Sequence, residues 1–430
     1  MAHYAGGKKA PAKNAPDARL AQVGLPAIEP TIGADKKGNL FMTVVGAGLS
    51  PDVVRSKDDG KTWEVVSPNV AGRKTHALTL DPYIYMDEST GRLYDIDLTV
   101  ACSYLSFSDD GGNTWTENPI ACGRPVNDHQ TLFTGPPAIT PGVVFPEVVY
   151  YCWNDFGTGT SCSKSLDGGI SWSVTGTRPF QGISNEGQSG PQVCGGFNGH
   201  GVVGPDGTVY LPKEHCGQPW IGISHDEGAT WDAVKVATNS TERLGSDTSV
   251  GVDKKGNLYY TWETADQQLF LATSTDGGEN WSDPMAIGAP GVEEVTLPSL
   301  DVGDPGKIAI AYVGTTDSPF ARCGEDCSGD DYSETEWNGY ITMTTDALAK
   351  KPVFYSASVN DPQDPFYRGR CDFNTRCRPM YDFLDIEIGP NGVPYAAFVD
   401  ACIALCVETG PHSDPGAGVV GSLVGGPRLR

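Results

Sequence analysis

Ser108-Asp109-Asp110-Gly111-Gly112-Asn113-Thr114-Trp115 is one of five copies of a single pattern in this chain of 430 residues. The others are Ser56-Lys57-Asp58-Asp59-Gly60-Lys61-Thr62-Trp63, Ser165-Leu166-Asp167-Gly168-Gly169-Ile170-Ser171-Trp172, Ser224-His225-Asp226-Glu227-Gly228-Ala229-Thr230-Trp231 and Ser274-Thr275-Asp276-Gly277-Gly278-Glu279-Asn280-Trp281. The consensus S-x-D-x-G-x-(T/S/N)-W sets its tryptophans 50 to 59 residues apart. A period of about 50 residues means one supersecondary unit repeated, and that sets the architecture before any other argument. Inside each copy the roles are local. The Asp carboxylate can accept backbone N–H bonds within a turn. The Gly permits a positive φ, the Ser or Thr hydroxyl can close the turn, and the Trp covers the next hairpin with apolar surface.

A second repeat is a Gly-containing turn that leads into an apolar strand. Its glycines are Gly38, Gly91, Gly142, Gly207, Gly256, Gly306 and Gly392. Where a box follows, this Gly lies 24 to 30 residues before the Trp, which leaves room for two strands and a loop. Each unit therefore reads as four antiparallel strands, a propeller blade. The sixth unit keeps only Thr344, Thr345 and Asp346 of the pattern, and the seventh has strands near 383–388 and 394–399 followed by a Gly-rich end. The fold expected is an all-β, seven-bladed β-propeller. Residues 18–24 would complete the last blade, so that the ring leaves no open edge. Six blades plus a cap is the alternative. Residues 1–17 read as a flexible leader, and residues 18–430 as one propeller domain.

Composition narrows the function. The formal net charge is −24, which argues against nucleic acid as a partner and fits a soluble secreted protein. It also disfavours a polyanionic substrate, unless a local basic pocket overrides the global sign. No apolar run approaches the ~20 residues that span a bilayer. Twelve cysteines fall into six close pairs: Cys102/Cys122, Cys152/Cys162, Cys194/Cys216, Cys323/Cys327, Cys371/Cys377 and Cys402/Cys406. The first three are symmetric about expected hairpin turns, within disulfide reach. Such pairing implies an oxidising compartment. The N-terminal stretch has no apolar signal-peptide core, so the expectation is a secreted protein that begins at a mature N-terminus.

The five-fold pattern resembles the Asp-box, or BNR repeat, of sialidases and related β-propellers. The resemblance implies that the boxes sit on the outer rim of the blades and build turns, so their aspartates are not catalytic candidates. It implies a sialidase-like glycoside hydrolase acting on a carbohydrate or glycoconjugate, as a monomer. Sialidases hold a substrate carboxylate with three arginines and use an Asp acid/base and a Tyr nucleophile. Their first arginine lies on the first strand, in a Phe/Tyr-Arg-Ile-Pro motif. Here that strand reads Ile28-Glu29-Pro30-Thr31-Ile32. The arginine is missing, and Glu29 would repel a carboxylate.

Propeller sites form where loops between blades and between second and third strands meet at the channel mouth. The catalytic candidates on such loops are Asp97, Glu214, Asp247, Glu263, Tyr381 and Asp382, since hydrolysis needs two carboxyl groups across a cleft. The substrate-binding candidates are Arg124, His129, His215, Arg243, Arg370 and Arg378, with Trp153, Trp220 and Trp262 as sugar-stacking surfaces. The segment 360–379 carries four arginines, and long loops are often functional. A non-catalytic glycan- or protein-binding propeller is the closest alternative. A polysaccharide lyase, with His129, His200 or His215 near Arg124, Arg243 or Tyr381, is the second. No metal site is assigned and no cofactor is required. The acidic stretch 324–336 could suit Ca²⁺, but reads first as a solvated loop.

Overall fold

The computed structural model describes all residues except 10–13, 46–49, 71–72, 75–78, 80, 99–102, 120–126, 141–143, 156–158, 182–195, 216, 238–247, 265, 319–333, 372–376, 378–379, 381 and 404–411. Seven antiparallel sheets of four strands form the blades, one of them extended at its outer edge. The innermost strands, in blade order 1 to 7, are Ile32–Ala34, Pro82–Met86, Asn127–Gly135, Val202–Val203, Ser249–Val252, Glu294–Val302 and Asp385–Ile388. Each touches the next, and Asp385–Ile388 touches Ile32–Ala34, so the ring is closed. The seven-blade expectation holds over the six-blade one.

Closure uses the strand that the sequence nominated. Asp17–Ala27 pairs antiparallel with Gly416–Val424 and becomes the outermost strand of blade 7. First and last parts of the chain thus share a sheet, which removes the unpaired edge. The glycines of the second repeat sit where the first two strands of a blade turn. Gly38 has φ 85° and Gly207 has φ 85°, a region that costs other residues strain. Gly142 lies outside the described residues.

Each S-x-D-x-G turn is closed by its own side chains. In blade 2 the Ser108 hydroxyl donates to Asp110 Oδ1 at 2.8 Å and accepts from the Gly112 N–H at 2.8 Å. Thr114 donates to Asp110 through its N–H at 2.8 Å and its hydroxyl at 2.7 Å. Trp115 Nε1 donates to the Gly112 carbonyl at 3.1 Å. Slight burial pushes the Asp110 carboxyl up, but these donors outweigh it and hold the group below its ordinary value. The same Ser–Asp bond recurs at Asp58, Asp167, Asp226 and Asp276. The decayed sixth copy keeps it through Thr344 and Asp346, at 2.7 Å.

The hydrophobic core lies between blades, as facing sheets require. Trp153 is buried among Tyr94, Ile96, Leu132 and Tyr151, and Trp262 among Tyr260, Ile223 and Leu258. Both were expected to face the channel. They are instead inter-blade core, because strand alternation turns them toward the neighbouring sheet.

Two further expectations change. Ala2–Tyr4 and Lys8–Lys9, read as part of a flexible leader, are strands: Ala2–Tyr4 adds to the outer edge of blade 6 by pairing with Val353–Ser358. His3 is buried there, with Nε2 2.7 Å from the Ser356 hydroxyl. The outer strand of blade 6 offers unpaired backbone groups, and the N-terminal segment satisfies them. Of the cysteine pairs, Cys152–Cys162 and Cys371–Cys377 are disulfides, and Cys152 faces Cys162 in register across its hairpin. Cys402 is also disulfide-bonded. Cys102, Cys122, Cys194, Cys216, Cys323, Cys327 and Cys406 lie outside the described residues.

Candidate functional site

Acidic residues stand at the start of the innermost strand in four consecutive blades around the ring. Asp382 precedes Asp385–Ile388, Glu29 precedes Ile32–Ala34, Asp81 precedes Pro82–Met86, and Asp128 lies in Asn127–Gly135. Innermost strands of neighbouring blades begin at the same mouth of the ring, so these residues converge. The Asp382 N–H donates to Glu29 Oε1 at 3.0 Å. The Glu29 carboxyl group feels the charges of Asp81 and Asp382. Asp81 in turn feels the charges of Asp128, His129 and Asp382.

His129 is placed by a β-bulge. The pairing of its strand slips between Asp128 and Thr131, and His129 takes φ 46°. A bulge of this kind re-aims a side chain. Here it turns the imidazole so that Nε2 lies 3.1 Å from Asp382 Oδ2. The ring stacks on Phe197, with centroids 4.1 Å apart and planes 3° from parallel, and meets Phe383 edge-on. Asn198 Nδ2 donates to the His129 carbonyl at 3.0 Å, and Gln130 Nε2 donates to the Asp81 carbonyl at 2.7 Å. These bonds fix the bulge from both neighbouring blades. Glu29 also has a positive φ, 45°.

Burial sets the electrostatics. Glu29 is 3% exposed. Burial first, then the charges of Asp81 and Asp382, push its carboxyl well above the ordinary range. Asp81 is raised as well, chiefly by burial. Like charges brought this close disfavour ionising both carboxyl groups together. One layer deeper, burial and then the His129 charge bring His200 down to about 4. Its ring meets Tyr83 and Phe383 edge-on. Burial raises Asp385 to about 7, although it accepts the Ile32 N–H at 3.0 Å.

The site therefore places two buried carboxyl groups of raised pKa, Glu29 and Asp81, beside the Asp382–His129 pair. That combination can donate a proton at one point and accept one at another. Ligand atoms of Asp128, His129 and Asp382 also lie within 4.8 Å of one another. Two carboxylates and an imidazole are donors that a divalent cation accepts.

Of the residues nominated from sequence, the structure joins Asp382 and His129. Asp97 is buried on the second strand of blade 2 and lies opposite Pro82, the residue after Asp81. Glu214 is half-buried at the end of the second strand of blade 4, and its N–H donates to the carbonyl of Phe197 at 3.2 Å. His215 is buried, stacked on Phe180 and edge-on to Trp220. Trp220 is half-buried in the core between blades 3 and 4, with Lys235 over its ring. Glu263 is fully buried at the end of the second strand of blade 5, and Arg370 is half-buried after the strand Tyr367–Arg368. Asp247, Tyr381, Arg124, Arg243 and Arg378 lie outside the described residues, as does the stretch 324–333 proposed for Ca²⁺.

Sequence reading treated Glu29 only as a departure from an arginine motif, and passed over Asp81. A signal was available. In blades 7, 1, 2 and 3 an acidic residue occupies nearly the same place relative to the innermost strand, which alignment of the repeats by strand start exposes.

No protein-family model matches this chain, and no curated protein matches it in sequence. Solved structures resemble it at low identity. A protein of unknown function from Dyadobacter fermentans is 14% identical, with 98% of this chain and 100% of that one covered, at a TM-score of 0.48. The Aleuria aurantia lectin, in complex with alpha-methyl-L-fucoside, is 10% identical over 76% of this chain and 93% of its own, at a TM-score of 0.45. The NanB sialidase of Streptococcus pneumoniae is 14% identical over 93% of this chain and 68% of its own, at a TM-score of 0.46.

Proposed function

We propose that this chain is a secreted glycan-processing propeller that hydrolyses glycosidic bonds at the mouth of its ring. The observation that carries the reading is the buried Glu29 carboxyl group, bonded by the Asp382 N–H and held beside the Asp382–His129 pair. Glycoside hydrolysis needs one carboxyl group that keeps a proton for the leaving oxygen and a second that is an acceptor. The Glu29–Asp81 pair supplies the proton that departs with the leaving group. Asp382, oriented by His129, receives the proton of the attacking water, whose oxygen ends on the anomeric carbon. The missing strand-one arginine and the presence of Glu29 in its place favour a neutral sugar at the point of cleavage over a carboxylate-bearing one. Disulfides fit the oxidising compartment of a secreted protein. Burial of Trp153 and Trp262 takes away two of the stacking surfaces that a purely binding face would use.

The test is a product screen by mass spectrometry. Purified protein is incubated with sialosides, neutral plant polysaccharides and uronate-rich polysaccharides, and the same panel is run with Glu29→Gln and Asp382→Asn. The expected result is saturated oligosaccharides from a neutral glycan, lost in both variants. Unsaturated ends would establish a lyase instead. No product from any substrate, with the protein folded by circular dichroism, would overturn catalysis and leave a binding propeller.

A further inference from the structure

Blade 7 meets blade 1 at the seam where the ring closes, and a cleft of about 350 Å³ lies along it. Its floor is one face of blade 7. Arg19 lies opposite Ser422, and Ser422 opposite Tyr395, on three adjacent strands. Cross-strand partners share a face, so the three side chains form one row. Ala21 and Val420 form the next paired row along the same face. The opposite wall is the first S-x-D-x-G turn, where the Tyr395 hydroxyl donates to Asp59 Oδ1 at 3.2 Å and Lys61 follows. The segment after Gly425 crosses the end of the cleft and brings in Arg428.

Three cations, Arg19, Lys61 and Arg428, thus line one small cleft, and all three are exposed. None has an ion-pair partner among the described residues. The single carboxylate in the lining, Asp59, accepts from Tyr395. The neighbouring cleft between blades 1 and 2 differs. There Arg55 and Lys57 are paired with Glu64, and Asp35, Asp109 and Asp110 stand in the lining beside Lys36 and Lys37. In a chain of net charge −24, three unneutralised cations around one concavity run against the global field. The volume lies within the range of about 300–1,000 Å³ that small ligands occupy.

We propose that this seam cleft binds an acidic saccharide, with the sulfate or carboxylate group held by Arg19, Lys61 and Arg428. Guanidinium groups match such oxyanions bidentately, and the Ser422 hydroxyl, in the row between Arg19 and Tyr395, is placed to bond a sugar hydroxyl. The site is separate from the mouth of the ring. It lies across the closing strand, so an occupant joins the first blade to the last.

Isothermal titration calorimetry on the full chain tests this. The probes are a sulfated heparin-derived disaccharide, an unsulfated glucuronate disaccharide, inorganic sulfate and lactose. Saturable binding of at least one acidic disaccharide and none of lactose is expected. Lys61→Glu and Arg428→Glu, both at exposed positions, are each expected to weaken it about tenfold or more, since a lost charged hydrogen bond of roughly 1.5–3 kcal/mol corresponds to that factor. Lys57→Glu, beside the other cleft, is expected to change nothing. Inorganic sulfate binding as tightly as the disaccharides would overturn the saccharide assignment. No saturable binding of any anion, or binding that survives both charge reversals, would overturn the site.

Discussion

The backbone N–H of Asp382 donates to the Glu29 carboxyl group at 3.0 Å, across 353 positions of sequence. One residue enters the innermost strand of blade 7 and the other that of blade 1, so the bond exists only because the ring closes. The acidic site and the closure of the propeller are therefore one structural event. The strand Asp17–Ala27, which seals blade 7, runs directly into Glu29.

Glu29→Gln keeps the shape and hydrogen bonding of the side chain but cannot hand over a proton. It is expected to lower kcat by about 10²- to 10⁴-fold, the usual size of a general-acid contribution, with little change in melting temperature. The pH profile carries a second signature. A donor with a raised pKa works while protonated, so under the proposed reaction kcat/KM of the unmodified chain is expected to fall as pH rises through the pKa of the Glu29–Asp81 pair. Residual activity of the variant should lack that limb.

Stability should depend on pH in two directions. Burial raises Asp301 to about 6, with Arg430 partly opposing, and raises Asp385 to about 7. The folded state holds these protons more tightly than the unfolded chain. Their contribution is complete below the ordinary carboxyl value, near 4, and is lost as pH rises through about 6 to 7. Glu227 is the reverse case, brought to about 2 by its hydrogen bonds against the opposing effect of burial. Its contribution is present above about 4 and lost toward about 2. Urea unfolding at intervals from pH 3 to 8 should show a maximum near pH 4–5, and Asp385→Asn should shrink the fall between pH 5 and 7.

Glu227→Ala should be among the most damaging single changes. The residue is fully buried in the fourth S-x-D-x-G turn, where it fills a non-conserving x position of the pattern. It accepts the N–H groups of Ile139 at 3.0 Å and Thr140 at 2.8 Å, the Thr140 hydroxyl, and Lys164 Nζ at 3.0 Å. Alanine would orphan two amides and a largely buried ammonium between blades 3 and 4. A loss of about 3–5 kcal/mol is expected, measured by chemical denaturation. Glu227→Gln should lose less, because the amide oxygen still accepts.

Asp110→Ala provides the contrast. It removes the acceptor of the Ser108 and Thr114 bonds in an exposed turn. The expected cost is about 1–2 kcal/mol of stability, with specific activity per folded molecule unchanged. A loss of activity beyond the loss of folded protein would give the turn a role that its outward position does not provide.

Much of the fold was legible because its determinants are local. The S-x-D-x-G turn is closed by hydrogen bonds within eight residues, and the Gly turns need a backbone conformation that only the residue type decides. A repeated local unit then implies a ring. Even the closing strand could be read, since a propeller with an open blade leaves an unpaired edge. Hairpin symmetry likewise placed Cys152 against Cys162. The leader was misread because an edge strand of blade 6, some 350 residues away, supplies the partner for Ala2–Tyr4.

The site was legible only in part. Asp382 and His129 were nominated as loop residues, but nothing local says that they meet at 3.1 Å. Trp153 looked like a sugar platform because sequence gives a residue's place on a strand and not which face the neighbouring blade covers. Glu29 looked like a mere absence of arginine. By itself the sequence determined the repeating turn and the four-stranded unit, and pointed to a ring, because each follows from contacts within a blade or between successive blades. Only the tertiary structure decided which acidic groups become a site. Their proximity comes from four different blades meeting at one mouth, and their raised pKa values come from burial and from each other, neither of which exists until the ring is closed.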